Sequence, residues 1–77
     1  MQELLEFIAK GLVENPDSVQ VTADAPAADG TIVYHLHVDE GDMGRVIGKQ
    51  GRIAKAIRTL MRAVANRSNE KIAVEID

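Results

Sequence analysis

Apolar residues recur along this chain with two different spacings, and the places where the spacing changes divide it into elements. Over residues 2–14, Leu4, Leu5, Ile8 and Leu12 fall on one arc at three- and four-residue intervals, which predicts an amphipathic helix. Asn15-Pro16 ends it, because the residue before a proline avoids helical backbone angles. Residues 18–24 alternate, with Val19, Val21 and Ala23 on one side and Gln20 and Thr22 on the other. Residues 31–39 alternate again, with Ile32, Tyr34, Leu36 and Val38 inward. The proline and glycine of residues 24–30 mark a loop, so the two strands should form a hairpin. Asp42 is placed to cap a short helix over residues 43–47. The clearest helix covers residues 52–66, with Ile53, Ile57, Leu60 and Val64 on one arc. Residues 71–77 give a third strand through Ile72, Val74 and Ile76.

The order is αββααβ. Three alternating strands offer one apolar sheet face, and three amphipathic helices each bring a stripe to cover it, which predicts an α+β two-layer sandwich with a three-stranded mixed sheet. The second and third strands are joined through two helices, so as neighbours they run parallel. The 77 residues make one domain, and 45% hydrophobic content suffices to fold it. A single core of this size is marginal, so a partner subunit is a source of further stability. The absence of cysteine excludes disulfides and thiolate metal sites. The N-terminus carries acid where a secretory signal carries base, and no apolar run approaches the ~18 residues of a membrane span. A cytoplasmic protein with no membrane contact is expected.

Between the last two helices stands Val46-Ile47-Gly48-Lys49-Gln50-Gly51-Arg52-Ile53. Glycine costs ~1 kcal/mol against alanine inside a helix, so Gly48 and Gly51 should mark a break. Two missing Cβ atoms let another backbone come close, while Lys49, Arg52 and the free N–H groups of the following helix offer positive potential to an anion. The charge distribution agrees. Net charge is −3, but residues 43–69 hold seven bases (Arg45, Lys49, Arg52, Lys55, Arg58, Arg62 and Arg67) and no acid. The rest of the chain carries two bases against twelve acids. Segregation of this kind makes a positive face on an acidic body.

The glycine turn with Ile47 before it and Ile53 and Ile57 after it resembles the KH domain, whose G-x-x-G loop clamps the backbone of about four single-stranded nucleotides. One departure is that the commonest KH pattern has isoleucine three residues after the second glycine, where this chain has Ala54 with Ile53 one place earlier. The αββααβ order is that of the bacterial, type II arrangement, and V-I-G-K-Q-G-R-I-A-K-A-I-R is similar to the KhpA family of short stand-alone RNA-binding proteins. The resemblance covers residues 1–77. It implies a non-enzymatic single-stranded RNA binder in which Gly48 and Gly51 permit close approach and Lys49, Gln50 and Arg52 contact phosphate. Lys55 and Arg58 would extend the track. Bases would lie in an apolar groove with Arg45, Val46 and Ile47 on one wall and the second strand on the other. It further implies a chaperone-like or post-transcriptional role, a link to cell-wall growth and cell length, and pairing with itself or with a larger KH-containing protein of the KhpB kind.

Other chemistry finds little support. His35, His37 and Asp39 share a strand face but lack a fourth ligand, and the glycines match neither nucleotide-binding fingerprint. No serine or threonine is placed beside a histidine, and no cofactor or metal is implied. Phe7 and Tyr34, the two rings, fall at core-facing or core-edge positions, which leaves no stacking platform of the RRM or OB kind. Two other readings stay open: a single-stranded DNA binder, and a KH-like protein-interaction module. On the last helix the anchors Leu60, Ile53, Val64 and Ile57 lie between about 80° and 140° from Arg52, and Met61, Ala54 and Ala65 at about 180° to 220°. Those three extend the apolar surface beyond the ~100° stripe a sheet requires and form the expected homodimer face.

Overall fold

A computed structural model describes residues 1–76, apart from the side chains of Ile47, Lys49 and Gln50. Asp77, expected in the last strand, lies outside the described residues.

Helix α1 spans Gln2–Lys10. Glu3 in its first turn and Lys10 in its last complement the helix dipole, and Lys10 Nζ meets Glu6 Oε1 at 2.9 Å one turn away. Leu5 and Ala9 form its buried face. It stops at Gly11 rather than at residue 14, and the Gly11 N–H donates to the Phe7 and Ile8 carbonyls. Leu12 therefore leaves the predicted arc and is exposed. Phe7, two residues from both Leu5 and Ala9, points away from the core and is 76% exposed, against expectation. A 3-10 turn at Pro16–Ser18, unmarked by the alternation, leads into the sheet.

Strand β1 (Gln20–Ala23) pairs antiparallel with β2 (Ile32–His37), Val21 opposite Leu36 and Ala23 opposite Tyr34. Strand β3 (Ile72–Ile76) pairs parallel with β2, Tyr34 opposite Val74. The order β1-β2-β3 gives the expected mixed sheet, with β2 central and β3 at an edge. Val19, Val21, Tyr34, Leu36 and Val38 are buried on the face that the helices cover, while Ala23 at the end of β1 is exposed.

Helix α2 runs over Glu40–Arg67, 28 residues that include both predicted helices and the residues between them. Its cap is Asp39, whose side chain accepts the Gly41 N–H at 2.9 Å. Asp42, expected in that role, is instead 2% exposed and bonded to a distant loop. Gly48 continues the right-handed helix, but Gly51 adopts φ 67°, which no right-handed helix accommodates. The break thus falls at one glycine and divides α2 into two arms, residues 40–50 and 52–67. At the far end Asn69 takes φ 58°, its N–H reaching the Asn66 carbonyl and the Glu70 N–H the Ala65 carbonyl, a Schellman closure before β3.

The second arm lies on the sheet in a different register from the one predicted. Ala54, Ile57, Met61 and Ala65 are buried, Met61 with no exposed surface, whereas Leu60 is 47% exposed and Ile53 and Val64 sit at the margin. The arm is rotated by about 70° from expectation. Small side chains at 54 and 65 let the helix axis approach the sheet, and Ile57 and Met61 fill the space between them. The proposed dimer face of Ala54, Met61 and Ala65 is consequently buried.

Candidate nucleic-acid interface

The glycine turn sits where the two arms of α2 meet. A methyl group added at Gly44, Gly48 or Gly51 would meet nothing within 4 Å beyond the neighbouring backbone of its own helix, so packing against the rest of the chain asks for a glycine at none of these positions. Only Gly51 needs one for its own backbone, through its positive φ. The cleared surface opens into a groove of about 680 Å³ lined by Leu12, Gly44, Arg45, Gly48, Arg52 and Ile53. Gly44 and Gly48 are one turn apart and leave backbone accessible on its floor, and Arg45 and Arg52 supply charge at its walls.

One anchor holds the first arm in place. The Asp42 carboxylate accepts the N–H groups of Glu14 and Asn15 at 3.1 and 3.0 Å and the Asn15 side-chain amide at 3.2 Å. Burial pushes this carboxyl up, but the three donors and the nearby Arg45 charge outweigh it and hold the group below its ordinary value. One turn further along the helix, Arg45 Nη2 lies 3.0 Å from Glu14 Oε1. Periodicity gave no sign of either contact, since both cross 27 to 31 residues of chain.

The predicted basic residues divide between two flanks. Arg45 and Arg52 face the α1 side, with Lys55 exposed beyond Arg52. Arg58 faces the other side, donating from Nε to the Val74 carbonyl at 3.3 Å, and with Arg62 it borders a cleft of about 160 Å³ against Ile72, Ala73 and Val74. Val46 is fully buried in the core cluster, so it cannot line the wall assigned to it. The side chains of Ile47, Lys49 and Gln50 lie outside the description. The second strand cannot form the opposite wall either: β2 is central and bonded on both sides, and the edge beside Arg58 belongs to β3. Of the other chemistry considered, His35 Nε2 is 2.9 Å from Asp24 Oδ2, and Asp39 is the helix cap. Among the described residues there is no cluster of three metal-ligating side chains.

Comparison with known proteins assigns this fold to a family. The model of the KhpA/KhpB KH domain matches residues 2–76. The RNA-binding protein KhpA of Clostridium acetobutylicum is 53% identical over 76 residues, and that of Clostridium perfringens 51%, each match covering 99% of both chains. The Listeria monocytogenes protein of the same name is 51% identical, with 99% of this chain and 97% of that one covered. Among solved structures, Aquifex aeolicus Era Y63A bound to GDP·AlF4− superposes with a TM-score of 0.69 at 21% identity. Era in complex with MgGDPNP and nucleotides 1506–1542 of 16S ribosomal RNA gives 0.67 at 23%. Both cover 97% of this chain, which spans 28% of theirs, and at that identity they speak for the fold alone. The chain belongs to the KhpA/KhpB family of KH domains, in the type II arrangement.

Proposed function

We propose that this protein binds single-stranded RNA, clamping the sugar–phosphate backbone at Gly48-Lys49-Gln50-Gly51. The observation that carries the reading is the pair of glycines whose Cβ positions are open, at the junction of the one segment of the chain that holds seven bases and no acid. Relatives of about 50% identity bear the name RNA-binding protein KhpA. The backbone passes over the turn with Lys49, Gln50 and Arg52 at the phosphates, and Arg45 and Lys55 continue the positive track. Bases lie toward the open edge of β3, where Arg58 and Arg62 line the cleft and strand carbonyls such as that of Val74 meet base edges.

Catalysis has no part in the reading. The cytoplasmic, chaperone-like or post-transcriptional role, with its link to cell-wall growth and cell length, comes from the family resemblance. So does pairing with a second copy or with a larger, KhpB-like KH protein. Among the described residues no helix is long and apolar enough to cross a membrane.

The test is Lys49→Asp with Gln50→Asp, which reverses charge at the phosphate site. Fluorescence anisotropy with a short labelled single-stranded RNA should show binding lost, while circular dichroism shows the fold retained. Undiminished binding would remove the clamp. A matched DNA strand in the same titration separates an RNA reader from a general single-strand binder.

A further inference from the structure

Arg45 stands at the groove beside Gly44 and Gly48, and its guanidinium already has an anion, the Glu14 carboxylate at 3.0 Å. That carboxylate is carried on pinned main chain. The Glu14 N–H and the next one along, of Asn15, both donate to Asp42, one turn before Arg45 on the same arm. The loop bearing Glu14 is therefore referenced to the helix bearing Arg45, and the pair forms in a defined place. Both side chains remain wet, Arg45 51% and Glu14 70% exposed, so an incoming anion can reach the guanidinium and take over its hydrogen bonds. A carboxylate and a phosphate present arginine with similar pairs of acceptor oxygens.

We infer that Glu14 is a resident competitor for the phosphate that Arg45 binds, so that each RNA strand entering the groove displaces it. The inference rests on the reading of this groove as an RNA site. An exposed ion pair is readily broken, so competition sets affinity by a few fold and does not close the groove. A strand already held at the glycine turn delivers its next phosphate at high effective concentration, which lets it displace the carboxylate.

The experiment is a cycle of variants titrated with the same labelled single-stranded RNA: parent, Glu14→Gln, Arg45→Ala and the two combined. Because the Asp42 contacts to Glu14 are made by main chain, Glu14→Gln leaves them in place, and circular dichroism checks the fold. Glu3→Gln on α1 makes the same change of net charge as a control. Glu14→Gln is expected to bind roughly two- to five-fold tighter, the range an exposed pair supports, and the gain is expected to vanish when Arg45 is alanine. Unchanged or weaker binding by Glu14→Gln overturns the inference. So does an equal gain in the Arg45→Ala background or in Glu3→Gln, since the effect is then one of overall charge. Lys49→Asp with Gln50→Asp runs alongside: if it loses binding while Glu14→Gln changes nothing, the competitor alone falls, and if it binds like the parent, the reading of the site falls and takes the competitor with it.

Discussion

Gly48 and Gly51 play equivalent parts in the sequence motif, yet the backbone holds them for different reasons. Gly51 is left-handed at φ 67°, so alanine there is strained, and Gly51→Ala should destabilise the fold by ~1 kcal/mol. Gly48 is helical with open space around its missing Cβ, so Gly48→Ala should stabilise the fold by ~0.5–1 kcal/mol. The same methyl stands on the floor of the groove, and Gly48→Ala should weaken RNA binding even as it raises the melting temperature. Thermal melts and anisotropy titrations on the two variants check this. A Gly48→Ala protein that is both more stable and fully competent to bind would show that close backbone approach at this residue is not required. Asp42 illustrates what residue-level reading could not reach. Its position before an apolar run suits a helix cap, but Asp39 is nearer the true start, and the partners that claim Asp42 are the main-chain donors of Glu14 and Asn15, far away in sequence.

At the level of elements, the strands were the most legible part of the chain, because a period of two allows only two faces and one of them is visibly apolar. The second arm of α2 was less so. Its apolar residues form one continuous arc from Leu60 round to Ala65, wider than a sheet can cover, and choosing the larger side chains as anchors put the wrong part at the centre. Tertiary packing placed Ala54 and Ala65 inward with Ile57 and Met61, and Ala54 sits buried at the position where the commonest KH pattern carries isoleucine. Met61→Ala should then lower the unfolding free energy by ~2–5 kcal/mol, a loss that urea denaturation would register readily. An effect under about 1 kcal/mol would instead match the surface role that the helical arc suggested. The glycine spacing and the basic segment were likewise legible. Their division between an α1 flank and a β3 flank depends on the rotation of this arm and on strand order, neither of which a local pattern records.

For the whole molecule, the rotated arm changes where a partner would sit. With Ala54, Met61 and Ala65 in the core, the large apolar side chains exposed to water among the described residues, Phe7, Leu12 and Leu60, line a groove of about 680 Å³ between α1 and α2 together with Ile8, Ala56 and Ile57. A chain this short buries a small core, and a contiguous exposed patch of large apolar side chains is a mark of an interaction surface. The proposed homodimer would therefore use this face, where Phe7 of one copy would cover Leu60 of the other and two glycine turns would become available to one RNA strand. Light scattering at roughly ten-micromolar concentrations should show a dimer, which Leu60→Asp converts to a folded monomer because the position is already half in water. The monomer should also bind a long single strand less tightly than the parent while binding a short one equally well, since it loses only the second attachment. A parent that is monomeric, or a Leu60→Asp protein that stays dimeric, would remove this face as the site of self-association.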